Sequence, residues 1–125
     1  MTAKRIVFAC VAATLATAPA LAADAYPSKP VRIVVPFAPG GGVDLTARIV
    51  AQKLTERVGQ SFIVDNRTGA SGIIGVEFVA KAAPDGYTLL VGSQTTQAVV
   101  PAMYGKLHYD TARDFIGVTE IAVSP

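Results

Sequence analysis

Residues 31–42 read Val31-Arg32-Ile33-Val34-Val35-Pro36-Phe37-Ala38-Pro39-Gly40-Gly41-Gly42. The first seven are rich in β-branched residues and contain a proline near their end, which is typical of a buried strand. The next five cannot form a regular element. Over residues 43–58 the apolar positions recur at helical spacing, and Gly59 stands where a helix favours a left-handed residue. These residues predict a strand, a glycine-rich loop and a helix in succession.

The same alternation continues along the chain. A second helix with Ile74, Phe78 and Val79 on one side is predicted over residues 73–83, and a short helical turn near residues 98–104 has Pro101 near its start. Further strands are predicted over residues 62–66, 87–92 and 115–123. Strands and helices that alternate with short connections predict right-handed crossovers and an α/β fold, a parallel sheet with flanking helices. Strands that are apolar throughout indicate a sheet covered on both faces.

Residues 1–22 have the pattern of an export signal. Lys4 and Arg5 precede an apolar stretch over residues 6–15, and Ala20-Leu21-Ala22 offers small residues to a signal peptidase. The apolar stretch is shorter than the roughly 18 residues that a membrane span requires. We expect cleavage after Ala22, with Ala23 as the alternative, and a product in the periplasm.

Composition excludes several classes of protein. With 51% hydrophobic and 16% charged residues, the chain is neither disordered nor a disulfide-rich miniprotein. Outside the export signal, nine basic residues balance nine acidic ones, which argues against nucleic acid as a partner. The single cysteine, Cys10, lies inside the signal, so the mature chain would lack disulfides and thiolate metal sites. We expect no metal and no cofactor.

Three loops rich in Gly, Ser and Thr follow the first three predicted strands, over residues 38–42, 66–72 and 93–97. The carboxyl ends of parallel strands lie at one edge of the sheet, where ligands bind in such folds. Gly40, Gly41 and Gly42 precede a helix, so free N–H groups and the positive end of its dipole would form a cradle for an anion. Taken alone, this loop is interpreted equally well as an anion cradle or as a tight turn between strand and helix. The two other small, polar loops at the same edge favour the interpretation as a binding site.

Polar side chains near this edge have two interpretations each. Asp44 is either a helix cap or a partner of the helix dipole, which we favour, or it holds the glycine loop in shape or meets a ligand amine. Arg48 either pairs with Asp44 one turn earlier, which is favoured, or faces the sheet edge. The polar side chains after the third strand either form a turn or contact a ligand; they are Ser93, Thr95, Thr96 and Gln97.

Common enzyme motifs fail on spacing. A dinucleotide loop would need glycine where Leu45 stands, and a nucleophile elbow around Ser71 would need glycine where Ile73 stands. The only histidine, His108, lies in a polar loop and is interpreted as a surface residue. An exported enzyme that uses Ser71 or Asp44 remains an alternative to a binding protein, as does an inactive truncated product.

Several motifs make the chain similar to a known family: Tyr26-Pro27-x-Lys29-Pro30-Val31-Arg32-Ile33-Val34-Val35-Pro36-Phe37, Pro39-Gly40-Gly41-x-x-Asp44-x-x-Ala47-Arg48, Val64-Asp65-Asn66-Arg67-x-Gly69-Ala70-x-Gly72, Ala82-Ala83-Pro84-Asp85-Gly86-Tyr87-Thr88-Leu89-Leu90, and Tyr109-Asp110 followed by Asp114-Phe115. It resembles the substrate-binding proteins of tripartite tricarboxylate transporters, the Bug-type family. The resemblance implies a periplasmic receptor of the type II-like binding-protein fold, with two α/β domains around a cleft. Such receptors bind a small organic carboxylate and deliver it to membrane permease subunits.

Carried over by position, the resemblance implies ligand contacts from the loops after the first and third strands: Phe37, Gly40, Gly41, Asp44, Ser93, Thr95 and Thr96. Gly42 and Gln97 in the same loops, and Ser71 in the loop after the second strand, complete the candidate set. The family ligands include dicarboxylates, tricarboxylates, acidic amino acids and aromatic acids. Residues 23–125 are then expected to be the N-terminal portion of the first domain, without the second. Such a portion would expose apolar surface through Ile33, Val35, Leu90 and Val91.

The export signal generates the first testable prediction. The exported protein should begin at Ala23 or Asp24, carry no lipid and contain no thiol. The intact mass of the protein recovered from the periplasm checks this. A mass that includes Cys10, or that carries an added lipid, contradicts the prediction.

Overall fold

The computed structural model describes residues 25–123, so the predicted signal peptide and its cleavage site lie outside the described residues. The strands are β1 (Val31–Val35), β2 (Phe62–Asn66) and β3 (Thr88–Leu90), and the helices are α1 (Gly42–Val58), α2 (Ile73–Ala80) and α3 (Val100–Met103). A 3₁₀ turn over Ala70–Gly72 leads into α2, and a π-helical turn over Thr95–Val99 leads into α3. No helix in this part of the chain is long and apolar enough to cross a membrane.

The three strands form one parallel sheet in the order β2-β1-β3. β1 lies in the centre, and its residues Val31, Val34 and Val35 are completely buried. Its register with β2 runs from Val31 opposite Phe62 to Val35 opposite Asn66. The parallel α/β architecture predicted from the alternation is therefore confirmed.

The two longer helices cover opposite faces of the sheet. Ile33 and Val35 of β1 pack with Ala47 and Ala51 of α1 in the core. Successive strand residues point to opposite faces, so Val34 and Pro36 face the other way. On that side the backbone of Gly75 in α2 lies against Pro36. Consequently, Ile33 and Val35 are 3% and 0% exposed because α1 covers them, and the expectation that they form exposed apolar surface is wrong.

Helix ends agree with the sequence at α1 and differ at α2. Gly59 has φ 77° and donates its N–H to the Thr55 carbonyl, so α1 ends at the left-handed glycine as predicted. α2 ends at Ala80, three residues earlier than expected. Its buried residues are Gly75 and Val76, whereas Ile74 is 53% exposed. Of the apolar side expected for α2, Phe78 and Val79 are half-buried and Ile74 is exposed, because close backbone contact at Gly75 turns that part of the helix toward the sheet.

Two segments differ from their predicted structure. Residues 115–123 contain no strand, and Ile116 and Val118 are 92% and 82% exposed. The ladders of β1 with β2 and β3 do not include this segment, and a strand needs a partner for its backbone groups. The loop expected over residues 93–97 is partly helical, since the helical turn begins at Thr95 rather than near residue 98. The hydroxyl-rich loop is thereby the start of a helical segment.

The close approach at Gly75 can be tested by adding one methyl group. A Cβ at this position would lie 2.7 Å from the Arg67 carbonyl oxygen and 3.0 Å from the Pro36 Cα, both backbone atoms. Gly75→Ala should lower the free energy of unfolding by about 1–3 kcal/mol, the usual cost of overpacking. Chemical denaturation measures this. Gly105→Ala is the control because its Cβ would meet nothing within 4 Å; equal effects would contradict the prediction.

Candidate ligand-binding site

The three loops at the carboxyl edge of the sheet converge around Gly72. A Cβ on Gly72 would lie 2.8 Å from the Thr96 Cγ2 and 3.3 Å from the Pro36 Cβ, so the residues that follow β1, β2 and β3 are in contact. Both neighbours of β1 run parallel to it, and the two crossovers leave in opposite directions. Ligands bind at such a switch point in open α/β sheets. The predicted convergence of these loops is therefore present in the structure.

The N-terminus of α1 supplies free hydrogen-bond donors at this edge. Gly41 is the N-cap residue, and no side chain caps the helix there. Among residues 25–123, the N–H groups of Gly41, Gly42 and Val43 donate to no acceptor, as expected for the first turn of a helix. The partial positive charge of the helix dipole adds to these donors. This arrangement can bind an anion without a cationic side chain.

Gly40 differs from the two glycines that follow it. It has φ 87°, in the left-handed region, whereas Gly41 has φ −76° and extended backbone. The Gly40 N–H donates to the Asp44 carboxylate at 2.9 Å, so it is engaged inside the protein. Gly40 thus shapes the loop, and Gly41 and Gly42 carry the N–H groups that remain available.

Asp44 lies at the centre of a hydrogen-bond network. Its side chain is almost completely buried and accepts from Gly40 N–H and Arg48 Nε, each at 2.9 Å, and from Asn66 Nδ2 at 2.8 Å. The pair with Arg48 is the favoured interpretation of that arginine. Asp44 lies in the first turn of α1, as a dipole partner does, but it does not cap the helix, and its bond to Gly40 corresponds to the less favoured interpretation, in which it holds the glycine loop in shape. The carboxylate points to protein donors. Asp44 and Arg48 therefore hold the glycine loop through hydrogen bonds within the protein.

These donors favour the ionised form of Asp44. Hydrogen bonding from Arg48 is the largest cause, followed by the Gly40 N–H and the Asn66 amide, and they lower the pKa of Asp44 from 3.8 to about 2. The same contact raises the pKa of Arg48. The pair is thus fully charged at neutral pH and internally neutralised.

Asn66 was not among the candidates from the sequence. It is the last residue of β2, opposite Val35, and its amide donates to the Phe37 carbonyl at 3.1 Å and to Asp44. Its Oδ1 accepts from Arg48 Nη2 at 3.0 Å. An amide side chain directly at the carboxyl end of a strand was the available signal. Its partner Asp44 is 22 residues earlier in the sequence, so the contact depends on tertiary structure.

Two of the candidates after β3, Ser93 and Thr96, are hydrogen-bonded to each other. Ser93 N–H donates to Thr96 Oγ1 at 3.1 Å, and Thr96 N–H lies 3.4 Å from Ser93 Oγ. Thr96 is completely buried, whereas Thr95 is exposed. Gln97 lies against Gly92, whose Cβ would be 3.1 Å from the Gln97 side chain. Thr95 therefore remains open to solvent, and Thr96 stabilises the turn.

Two further candidates occupy different positions. Phe37 is half-buried and packs against the core on the α1 side. Ser71 is exposed, and it and Ala70 both have left-handed backbone, with φ 56° and 47°. Such a conformation is strained in residues other than glycine and is frequent at functional sites. His108 is exposed, as expected.

Comparison with known proteins identifies the class of protein. Residues 46–125 match the family described as "Tripartite tricarboxylate transporter family receptor". The chain is 48% identical over 102 residues to a UPF0065 protein from the tcbD-tcbE intergenic region of Pseudomonas sp. strain P51, covering 82% of this chain and 30% of that protein. It is 40% identical over 114 residues to the protein BugT of Bordetella pertussis, covering 90% and 35%.

Solved structures show the same architecture. A periplasmic transporter matches with 49% identity and a TM-score of 0.68, covering 70% of this chain and 29% of that one. R. palustris Rpa4515 with adipate matches with 44% identity and a TM-score of 0.67, covering 70% and 29%. MatC from Rhodopseudomonas palustris with bound malate matches with 40% identity and a TM-score of 0.69, covering 72% and 31%.

These matches confirm the resemblance seen in the motifs. The chain belongs to the tripartite tricarboxylate transporter receptor family, and its fold is that of periplasmic binding proteins. It spans about a third of the length of the curated relatives that it matches.

The Asp44 network gives a prediction for stability against pH. Because the folded-state pKa is about 2 and the ordinary value is 3.8, the carboxylate stabilises the fold fully above about pH 4 and progressively less as pH falls toward 2. Asp44→Asn should therefore lower the melting temperature at pH 7, and its difference from wild type should shrink as pH falls through this range. Circular dichroism melts from pH 7 to pH 2 measure this difference.

Asp114→Asn is the matched control for that series. The pKa of Asp114 is also lowered to about 2, chiefly by hydrogen bonding from Arg113, but that arginine is largely exposed. Pairs near solvent contribute little stability, so this variant should stay closer to wild type at pH 7. A gap between Asp44→Asn and wild type that does not change with pH would contradict the proposed contribution of the Asp44 charge.

Proposed function

We propose that this protein is an extracytoplasmic solute receptor that binds a small organic carboxylate in the periplasm. The observation that carries this proposal is the uncapped N-terminus of α1 at the carboxyl edge of the sheet, held by the buried Asp44 network. One carboxylate oxygen would accept from the N–H groups of Gly41 and Gly42, and the α1 dipole would favour its charge.

We infer the class of ligand from the uncharged donors at this edge and from the ligands of related proteins. Arg48 is already paired with Asp44, and the donors that we propose for the ligand are uncharged backbone N–H groups and hydroxyls. Relatives with 44% and 40% identity were solved with adipate and with malate, which are both dicarboxylates. We propose a dicarboxylate or tricarboxylate, an acidic amino acid or an aromatic acid as the ligand of this chain.

The proposed contacts differ in the way each would act. Gly41, Gly42, Thr95 and Ser71 would offer exposed N–H or hydroxyl groups to the ligand. The remaining candidates would shape the site or line its wall: Phe37, Gly40, Asp44, Ser93, Thr96 and Gln97. In this proposal residues 23–125 form the N-terminal portion of the first domain. A second domain closes the cleft, and the loaded receptor delivers its ligand to the membrane permease subunits.

Amide chemical shifts of the 125-residue chain test the site even when binding is weak. Malate, adipate and citrate titrated into ¹⁵N-labelled protein should shift the amide resonances of Gly41, Gly42 and Val43 in a saturable manner. Malic diamide, which has the size of malate but no charge, should leave them in place. If no carboxylate shifts these amides, or if the diamide shifts them equally, anion binding at this edge is wrong.

A branched side chain at Gly41 provides the mutational test. Its Cβ would meet only the Ala38 carbonyl oxygen, at 3.7 Å, and its φ of −76° suits any residue, so Gly41→Val should fold normally. The added side chain should block close approach of a carboxylate to the N–H groups. The affinity for malate should fall at least about tenfold, which corresponds to about 1.4 kcal/mol of binding free energy. Gly117→Val, also in open space, is the control and should bind like wild type. Unchanged affinity in both variants would contradict the placement of the site.

A further inference from the structure

We infer that Asn66 is a positioning residue that fixes residues 37–44, the loop and first turn of α1, in their ligand-ready shape before any ligand binds. The inference rests on the proposed function, because that segment carries the N–H groups offered to the carboxylate. Asn66 itself lies at the end of β2, and its amide group is hydrogen-bonded to Phe37, Asp44 and Arg48. It acts through the loop rather than on the ligand.

The first argument is that both N–H hydrogens and the oxygen of the Asn66 amide are hydrogen-bonded within the protein. The two hydrogens of the amide nitrogen have two acceptors, the Phe37 carbonyl at 3.1 Å and Asp44 Oδ1 at 2.8 Å. The amide oxygen accepts from Arg48 Nη2 at 3.0 Å. The Asp44 carboxylate only accepts and the Arg48 guanidinium only donates, so these partners fix which end of the amide faces which group. An asparagine here is fully committed to holding its neighbours.

The second argument is the position of those neighbours. Phe37 begins the loop, Asp44 lies in the first turn of α1, and Arg48 lies one turn later. Asn66 therefore joins both ends of the loop to β2, which is itself paired with β1 up to Val35 opposite Asn66. Gly40 and Gly41 lie between these two anchors. Glycine carries a large conformational entropy, so a loop of this composition depends on such anchors to stay ordered.

The third argument is that no simple replacement performs the same function. Alanine removes all three hydrogen bonds and leaves part of the buried Asp44 carboxylate without a donor. Aspartate has nearly the same shape but, when ionised, cannot donate to Phe37 or Asp44 and places a second negative charge beside the first. Protonation gives that aspartic acid one donor again. The Asp44 carboxylate raises the pKa at which this happens, whereas the Arg48 guanidinium, 3.0 Å from the side-chain oxygen, lowers it.

The experiment compares Asn66→Ala with Thr55→Val. Thr55 also joins α1 to β2, because its hydroxyl accepts from Phe62 N–H at 3.0 Å and donates to the Ala51 carbonyl at 2.8 Å, but it does so at the opposite end of both elements. Both variants should lower the melting temperature. Only Asn66→Ala should speed amide hydrogen exchange at Gly40, whose N–H is bonded to Asp44, and lower the affinity for malate about tenfold.

Asn66→Asp adds a readout in pH. Relative to wild type at each pH, its affinity for malate should be lowest at neutral pH and should recover as pH falls, since protonation restores a donor. A purely structural contribution would give Thr55→Val and Asn66→Ala the same affinity at matched loss of melting temperature, and that result would overturn the inference. Unchanged exchange at Gly40 in Asn66→Ala would also overturn it.

Failure of the two proposals can be told apart. If wild type shows no carboxylate-dependent shifts, the proposed function fails. The hydrogen exchange of Gly40 is measured without ligand, so it still decides whether Asn66 holds the loop. If wild type binds malate and Asn66→Ala binds equally well with unchanged exchange, the positioning inference fails while the proposed function stands.

Discussion

A buried carboxylate determines the geometry of the carboxyl edge of the sheet. Asp44 is 1% exposed, and burying an ionised group without partners costs far more than a single hydrogen bond returns. Its oxygens therefore collect donors from Gly40, Arg48 and Asn66, which belong to the loop, the next helical turn and the end of β2. Satisfying one side chain thus fixes three segments relative to one another.

This internal neutralisation also decides what the edge offers to a ligand. Arg48 is the cationic side chain of this network, and its charge is balanced by Asp44. What remains at the N-terminus of α1 is a set of backbone N–H groups and a helix dipole. Neutral donors of this kind lose less hydration than a cation when a cleft closes over an anion, because burying an ion carries a large desolvation penalty.

The sequence predicted those features that depend on local pattern. The bounds of β2, the helix that ends at Gly59 and the pairing of Asp44 with Arg48 all depend on residues near one another in the chain, and all are present. Asn66 was missed because its partner Asp44 is brought close by strand pairing, which side-chain periodicity does not reveal. The burial of Gly75 and Val76 in α2 was missed for a similar reason, since contact between Gly75 and Pro36 decides which residues of that turn are buried.

The order of the strands explains why the N-termini of α1 and α2 both lie at the carboxyl end of β1. The chain crosses from β1 to β2 over one face of the sheet and from β2 back past β1 to β3 over the other. α1 and α2 therefore begin at the same edge but on opposite faces, and both N-caps are glycines without a side-chain cap, Gly41 and Gly72. Gly72 brings the start of α2 into contact with Pro36, directly after β1. The positive ends of two helix dipoles thus flank the end of one strand, and this favours negative charge between them more than either helix would alone.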